Sequence, residues 1–211
     1  MRIVAIDGPA GAGKSTVARA LAARLGLPYL DTGAMYRAVT LAAMRRGIDP
    51  ADVEPVAALA QHIDLDVSDA GVFVDGSDVT AEIRSPEVTA AVSAVAANSA
   101  VRAELVRRQR QWAQQRGGGV LEGRDIGSVV FPDAQLKLYL TADPRVRAAR
   151  RVAEAGGDVE EIAAAIERRD LHDTSRTHGP LVEAHGAIVL DTSGLEIDQV
   201  VDRIEELLEP E

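Results

Sequence analysis

The residues with the most specific chemistry lie near the start of the chain, at positions 8–15, which read Gly-Pro-Ala-Gly-Ala-Gly-Lys-Ser. They match the pattern G-x-x-x-x-G-K-[ST], and they stand between the apolar run 3–6 and the segment 15–25, whose apolar residues have helical spacing. A glycine-rich turn between a strand and a helix directs successive main-chain N–H groups at one anion. Lys14 then reaches the β- and γ-phosphates, and the Ser15 hydroxyl binds Mg²⁺. We therefore predict a site for a nucleoside triphosphate.

A second group of polar residues follows the short apolar segment 28–30, which predicts a strand ending at Asp31. Thr32, Tyr36 and Arg37 come next, so a hydroxyl, a phenol and a guanidinium join the Asp31 carboxylate at the strand's carboxyl end. Ligands collect at that end of the strands in open α/β sheets, and these groups suit a sugar phosphate. The alternative is an ordinary helix start with Asp31 or Thr32 as its N-cap.

A third group follows the strand predicted at 120–121, where the chain reads Glu-Gly-Arg-Asp from position 122. Glu122 is placed to hold Mg²⁺ through water, as the acid after a Walker B strand does. Arg124 and Asp125 would then face the same crevice. The alternative is a turn with a surface ion pair.

Two sets of charged residues recur at helical spacing in the second half of the chain. The first set is Arg147, Arg150 and Arg151, and the second is Arg169, Asp173 and Arg176. Each set shares one helix face, and a solvated face is the ordinary reading of such a pattern. Phosphoryl transfer, however, needs several fixed cations around oxygens that gather charge, and the planar, permanently charged guanidinium suits that task.

The elements that must position these groups alternate between strands and helices. Strands are predicted at 3–6, 28–30, 120–121, 136–140 and 188–190, and helices at 15–25, 33–46, 55–62, 86–97, 99–116, 144–154, 158–172 and 197–208. Repeated βα units predict an α/β fold with a parallel sheet covered by helices on both faces. A hairpin is predicted within this alternation of strands and helices. Residues 63–67 alternate between apolar and acidic, 69–71 form a turn and 72–74 are apolar.

The composition excludes several classes of protein. The 211 residues include no cysteine, which excludes a disulfide framework, a thiolate metal site and a catalytic cysteine. The net charge of −10 and the 3% of aromatic residues argue against a nucleic-acid or membrane-surface binder. With no signal segment and no apolar run long enough to cross a membrane, we expect a cytoplasmic, soluble protein, and without a heptad pattern we expect a monomer. Of the 23 basic residues only Lys14 and Lys137 are lysine, so the choice of lysine at the phosphate-binding turn stands out.

Taken together, these residues resemble a known family, the bacterial cytidylate kinases, over essentially the whole chain. The most specific segments are IDGPAGAGK at 6–14, LDTGAMYR at 30–37 and GRDIGSVVFP at 123–132. The hairpin at 63–75 is similar to the extra strands in the monophosphate-binding region of that family. Glu122 stands where the family often has Asp, and Thr32 where Ser is also common.

The resemblance implies a role for each matching residue. ATP would be bound by Gly8, Pro9, Ala10, Gly11, Ala12, Gly13, Lys14, Ser15, Thr16 and Arg150. CMP would be bound by Asp31, Thr32, Tyr36, Arg37, Ser93, Arg102, Arg124, Asp125, Asp173 and Arg176, with Ser93, Arg102 and Asp125 on the cytosine ring. The expected catalytic cations are Lys14, Arg124, Arg147, Arg151 and Arg169, and Mg²⁺ would be held by Ser15 and Glu122.

The resemblance also implies an organisation and an activity. It implies a P-loop fold of three α/β/α layers, with a core at 1–32, 117–142 and 177–211, a monophosphate-binding region at 33–116 and a lid at 143–176. The expected reaction is phosphoryl transfer from ATP to CMP or dCMP. The alternatives are a kinase for another small molecule, such as UMP, AMP or shikimate, and a nucleotide-dependent switch or motor. The chain has no N-K-x-D guanine motif, and a switch would have no use for the acid–arginine groups.

Overall fold

The computed structural model describes residues 1–68 and 70–208, so Asp69 of the predicted turn and residues 209–211 lie outside the described part. The chain divides into two compact units. The first unit comprises Met1–Tyr29 together with Arg116–Glu211, and the second comprises Leu30–Gln115. Among the described helices, none combines the length and apolar character that a membrane span requires.

The strands and helices follow the predicted order. The strands are β1 (Arg2–Asp7), β2 (Tyr29–Asp31), β3 (Leu65–Ser68), β4 (Gly71–Val74), β5 (Ser77–Asp78), β6 (Gly118–Gly123), β7 (Leu136–Thr141) and β8 (Ile188–Asp191). The helices are α1 (Lys14–Leu25), α2 (Thr32–Arg45), α3 (Val53–His62), α4 (Pro86–Ala97), α5 (Ser99–Arg116), α6 (Pro144–Ala155), α7 (Val159–Thr174) and α8 (Ile197–Glu206).

The larger sheet has five strands in the order β2-β6-β1-β7-β8. β1 pairs in parallel with β6 on one side and with β7 on the other, and β7 pairs in parallel with β8. Buried apolar residues of β1, β7, α1 and α8 form one core; they include Val4, Ile6, Leu21, Leu138 and Ile204. The predicted parallel α/β fold is confirmed. Because β1 is central, its carboxyl end places the phosphate-binding turn at the middle of the sheet.

The second unit consists of helices and a small antiparallel sheet of order β3-β4-β5. The hairpin predicted from the alternating pattern is present, with Leu65 paired to Val74 and Ser68 to Gly71. The third strand was not predicted, because Ser77 and Asp78 are both exposed polar residues and give no apolar alternation.

Two further differences from the predicted elements lie in the first unit. β6 begins at Gly118, two residues earlier than predicted, because the glycines of that turn already pair with β1 from Arg2 onward. The segment Ile126–Val130 forms a π-helical turn that no local pattern indicated. Its first N–H groups bond to Asp7, a residue distant in sequence, so its conformation depends on tertiary contact.

Candidate active site

The phosphate-binding turn joins β1 to α1 in the predicted manner. Gly8 has a φ of +147°, and a Cβ atom there would lie 2.0 Å from the carbonyl oxygen of Leu140 on β7, so no larger residue fits. Gly13 serves as the N-cap of α1 with a φ of 82°, which leaves the first N–H groups of the helix without a side-chain cap. Such N–H groups form a ready site for an anion.

Lys14 lies buried beneath this turn. Its Nζ donates a hydrogen bond to the carbonyl oxygen of Pro9 at 2.8 Å. The pKa of Lys14 is lowered to about 7, chiefly by burial and also by the positive charges of Arg124 and Arg169, against the opposing effect of Glu122 and Asp7. A cation crowded by other cations in a buried position gains most from an added anion, because the anion restores the charge balance.

Three arginines surround one buried carboxylate in the same unit. Asp173 on α7 has a side chain only 1% exposed, and it accepts a hydrogen bond from Arg124 Nε at 2.8 Å and another from Arg176. Arg169 Nε lies 4.0 Å from the same carboxylate. Burial would raise the pKa of Asp173, but the three guanidinium groups outweigh it and the pKa is lowered. This Asp173 cluster has a surplus of two positive charges, which an oxyanion would neutralise.

The proposed magnesium ligands differ in their surroundings. Glu122 at the end of β6 is buried and accepts a hydrogen bond from the Tyr29 hydroxyl, while Ser15 is half-buried at the start of α1. Among the described residues, no group of three or more acids or histidines could hold a metal on its own. One hydroxyl and one carboxylate fit a Mg²⁺ ion that takes its remaining ligands from phosphates and water, which is how Mg²⁺ is ordinarily bound beside nucleotides.

Asp7 fixes the segment that bears Arg124 and Asp125. Its buried carboxylate accepts hydrogen bonds from the N–H groups of Ile126 and Gly127, each at 2.8 Å. Burial raises the pKa of Asp7 to about 6, although the two N–H groups act in the opposite direction. Asp7 therefore acts as the acceptor for the first N–H groups of the π-helical turn that follows Asp125.

The three arginines predicted on one face of α6 have different partners. Arg147 donates to the carbonyl oxygens of Ala10 and Ala142 and pairs with Asp170. Arg150 donates to the side chain and the main-chain oxygen of Thr192, and the Thr192 hydroxyl lies 3.3 Å from the carbonyl oxygen of Ala12. Arg151, whose side chain is 40% exposed, pairs with Glu154 on its own helix. Arg147 and Arg150 thus hold the phosphate-binding turn from one side.

In the second unit the structure brings Tyr36, Arg37 and Arg102 into the interior. Arg102 donates from Nη1 to the Tyr36 hydroxyl at 3.4 Å and lies 5.9 Å from the centre of the Tyr36 ring. Arg37 donates from Nη1 to the carbonyl oxygen of Ile83 and to the Thr89 hydroxyl, at 3.2 and 2.8 Å. Arginine is seldom buried unless it is paired, and both guanidinium groups have hydrogen-bond partners within this unit.

The remaining predicted residues of the second unit occupy α2 and α4. Asp31 is the N-cap of α2, where its carboxylate accepts from the N–H of Ala34, and it also pairs with Arg84 at 3.1 Å. The structural alternative for Asp31 is therefore realised. Thr32 is buried in the first turn of α2, and Ser93 is half-buried on α4.

Two acids with contacts at the phosphate-binding turn or its neighbours were not predicted from the sequence. Asp7 ends β1 directly before the turn, and its position at a strand end was a usable signal. Asp170 lies on α7 one turn before Asp173, and only its contact with Ala10, 160 residues away, reveals its importance.

The comparisons with known proteins show the family of the chain. The family model described as cytidylate kinase matches residues 4–210. The chain belongs to the cytidylate kinase family. A cytidylate kinase of Mycobacterium leprae (strain Br4923) is 47% identical, with 98% of this chain and 95% of that protein covered. A cytidylate kinase of Limosilactobacillus fermentum is 51% identical, with 95% and 92% covered.

Some relatives combine this family with a second activity. A bifunctional pantoate ligase/cytidylate kinase of Synechococcus sp. (strain WH7803) is 51% identical over 97% of this chain, which spans 44% of that protein. Among solved structures, the shikimate kinase of Bacteroides thetaiotaomicron has a TM-score of 0.52 at 15% identity, with 99% of each chain covered. A gluconokinase of Sinorhizobium meliloti has a TM-score of 0.51 at 13% identity, over 98% of this chain and 95% of that chain. These likenesses confirm the P-loop kinase fold of this cytidylate kinase family member.

Proposed function

We propose that this cytidylate kinase family member transfers the γ-phosphoryl group of ATP to CMP or dCMP, giving ADP and CDP or dCDP. An oxygen of the acceptor phosphate attacks the γ-phosphorus in line, a new P–O bond forms, and the bond to the β-phosphate oxygen breaks with its electrons going to ADP. The acceptor itself is the nucleophile, so the protein's contribution is to position the reactants and neutralise charge.

The observation that supports the proposal best is the charge surrounding Lys14. Arg124 and Arg169, which belong to the Asp173 cluster, are close enough to Lys14 to lower its pKa. The positive charges of Lys14 and of these two arginines therefore lie near one another. Charge spreads over the equatorial oxygens of the transferred group in the transition state, and several fixed cations at one point stabilise that charge.

The resemblance also assigns residues to the acceptor nucleotide. Arg37 and Arg124 bind its phosphate, and Asp173 and Arg176 bind its ribose. Ser93, Arg102 and Asp125 read the base. The Asp125 carboxylate accepts from the exocyclic N4 amine of cytosine, whereas uracil offers a carbonyl oxygen there, which a carboxylate repels. Asp125 is only 5% exposed, so water would do little to screen its repulsion of the uracil carbonyl oxygen.

Magnesium fits the donor side of this proposal. Ser15 and Glu122 are the residues that would hold it, and a bound Mg²⁺ would offset part of the negative charge of the donor phosphates. The same donor phosphates would be bound by Arg151, Arg169 and the phosphate-binding turn.

The proposed function is tested by measuring ADP release from ATP with CMP, dCMP, UMP and AMP offered in parallel. The expected result is rapid release with CMP and dCMP and slow release with the others and with no acceptor. Fast release without an acceptor would identify a triphosphatase. A preference for UMP or AMP would identify a different monophosphate kinase, and either result would contradict the proposal.

A further inference from the structure

The peptide groups of the phosphate-binding turn are held from outside by an acid and a base. The N–H of Ala10 donates to Asp170 Oδ1 at 3.0 Å, and the carbonyl oxygen of Ala10 accepts from Arg147 Nη1, also at 3.0 Å. Arg147 and Asp170 pair with each other, which closes a ring of three hydrogen bonds. Arg147 Nε also donates to the carbonyl oxygen of Ala142 at 3.2 Å, which anchors the ring to the residue after β7.

The ring is well placed to be stable. The side chains of Arg147 and Asp170 are 10% and 18% exposed, so water competes little for their hydrogen bonds. Gly11, the next residue of the turn, permits the close approach of α6, because a Cβ atom there would lie 3.0 Å from Arg147 Cβ and 3.1 Å from its carbonyl oxygen.

We propose that Asp170, together with Arg147, is a positioning residue that holds the phosphate-binding turn in the conformation that binds donor phosphates. The inference rests on the proposed function only as far as the binding of ATP or ADP. Gly13 and α1 fix the turn at its far end, and the pair fixes it at Ala10. A turn that is already ordered loses less conformational entropy when the phosphates bind.

The pairing also explains why an acid is tolerated beside an anion site. Asp170 alone would place a negative charge at the turn and repel the phosphates, but Arg147 cancels that charge. The Asp170 carboxylate can therefore accept the Ala10 N–H without reducing the positive potential of the site.

The experiment measures the dissociation constants of ADP and of CMP by calorimetry for the wild type and four variants. In D170A both bonds of the carboxylate are lost, and we expect the Kd of ADP to rise on the order of ten-fold, as for loss of a hydrogen bond to a charged group. In D170N the amide oxygen still accepts from Ala10, so the rise is smaller. In R147M the uncompensated charge of Asp170 weakens ADP binding, and the double variant D170N/R147M binds ADP more tightly than R147M does.

Glu167 supplies the matched control. It lies on the same helix, is exposed, and E167Q removes the same charge, so we expect its Kd for ADP to stay within about two-fold of the wild type. The Kd of CMP should stay within about two-fold in the Asp170 variants and the control, since the ring touches only the donor side.

Each other outcome contradicts the inference. An unchanged Kd for ADP in D170A and D170N, even with a lowered melting temperature, would leave the pair with a purely structural role. Tighter ADP binding in D170A would mean that Asp170 competes with the phosphates. If the wild type bound no ADP at all, the proposed function would fail instead, so the two failures are distinguishable.

Discussion

Replacing Asp7 by Asn tests whether a buried, charged carboxylate organises the segment before the π-helical turn. The pKa of Asp7 is raised from 3.8 to about 6 in the folded protein, chiefly by burial. Between these two values the folded chain binds more protons at Asp7 than the unfolded chain does, so this group stabilises the fold most at low pH. Its contribution falls as the pH rises from about 4 to about 6 and then stays constant.

The magnitude follows from the difference between the two pKa values. At about 1.4 kcal/mol per pKa unit, ionising Asp7 in the folded protein costs about 3 kcal/mol of the free energy of unfolding. Asparagine does not titrate. It leaves one of the two N–H groups of Ile126 and Gly127 without an acceptor, which costs about 1–3 kcal/mol at every pH.

The assay is urea unfolding of the wild type and D7N at intervals between about pH 4 and pH 8. Subtracting one free energy of unfolding from the other removes the titrations that the two proteins share. We expect the advantage of the wild type over D7N to fall by about 2.5 kcal/mol between pH 4 and pH 7, most of the full difference. A difference that is independent of pH would refute the reasoning.

D173N supplies a control for the same measurement, because the pKa of Asp173 is shifted in the opposite direction to that of Asp7. The pKa of Asp173 is lowered, because its three arginines outweigh the effect of burial. Its ionised form therefore stabilises the fold at neutral pH, and that contribution is lost as the pH falls. Because the folded and unfolded pKa values of Asp173 both lie at or below 3.8, the advantage of the wild type over D173N should stay nearly constant between pH 4 and pH 8, whereas the advantage over D7N falls.

Three other predictions concern Lys14, Asp125 and two glycines with positive φ. At pH 8, ADP binding should take up protons, because the phosphates favour the charged form of Lys14, whose pKa is lowered to about 7 in the free protein. Calorimetry in two buffers of different ionisation enthalpy measures this uptake, and K14R should abolish it. D125N should lower the ratio of kcat/KM for CMP over UMP, and an unchanged ratio would remove Asp125 from base reading. In urea unfolding, G26A should lower the free energy of unfolding by about 1–2 kcal/mol, since Gly26 has a φ of +62° and no atom within 4 Å of its Cβ position. G8A should lower it far more, and equal losses would contradict the close contact with Leu140.

The sequence predicted those elements whose signals are local. The helix predicted at 86–97 begins at Pro86 in the structure, where the Ser85 hydroxyl accepts from the N–H of Val88. The glycine-rich turn was equally readable, because its lysine and glycines are adjacent. The grouping of Arg169, Asp173 and Arg176 was predictable for the same reason, since helical spacing alone places them together.

The features that could not be predicted from the sequence depend on contacts between residues that are far apart in the chain. Asp7 bonds to the π-helical turn across 119 and 120 residues, and Asp170 bonds to Ala10 across 160. The local signal for Asp7 is its position at the end of a strand, but nothing in the residues next to Asp170 distinguishes it from a surface carboxylate. The same holds for Arg147 and Arg150, whose spacing indicated a shared face and gave no sign of the carbonyl oxygens that they bind.

The order of strands in the sheet has a consequence for synthesis of the chain. In the described part of the chain, the partners of β1 are β6 and β7, which begin at Gly118 and Leu136. The second unit, Leu30–Gln115, is one continuous segment and is synthesised before either partner strand. Domains generally fold as units during synthesis, so this segment can fold while β1 still waits for its neighbours. A nascent chain that ends before residue 118 would contain every residue of the phosphate-binding turn and have no sheet to shape it.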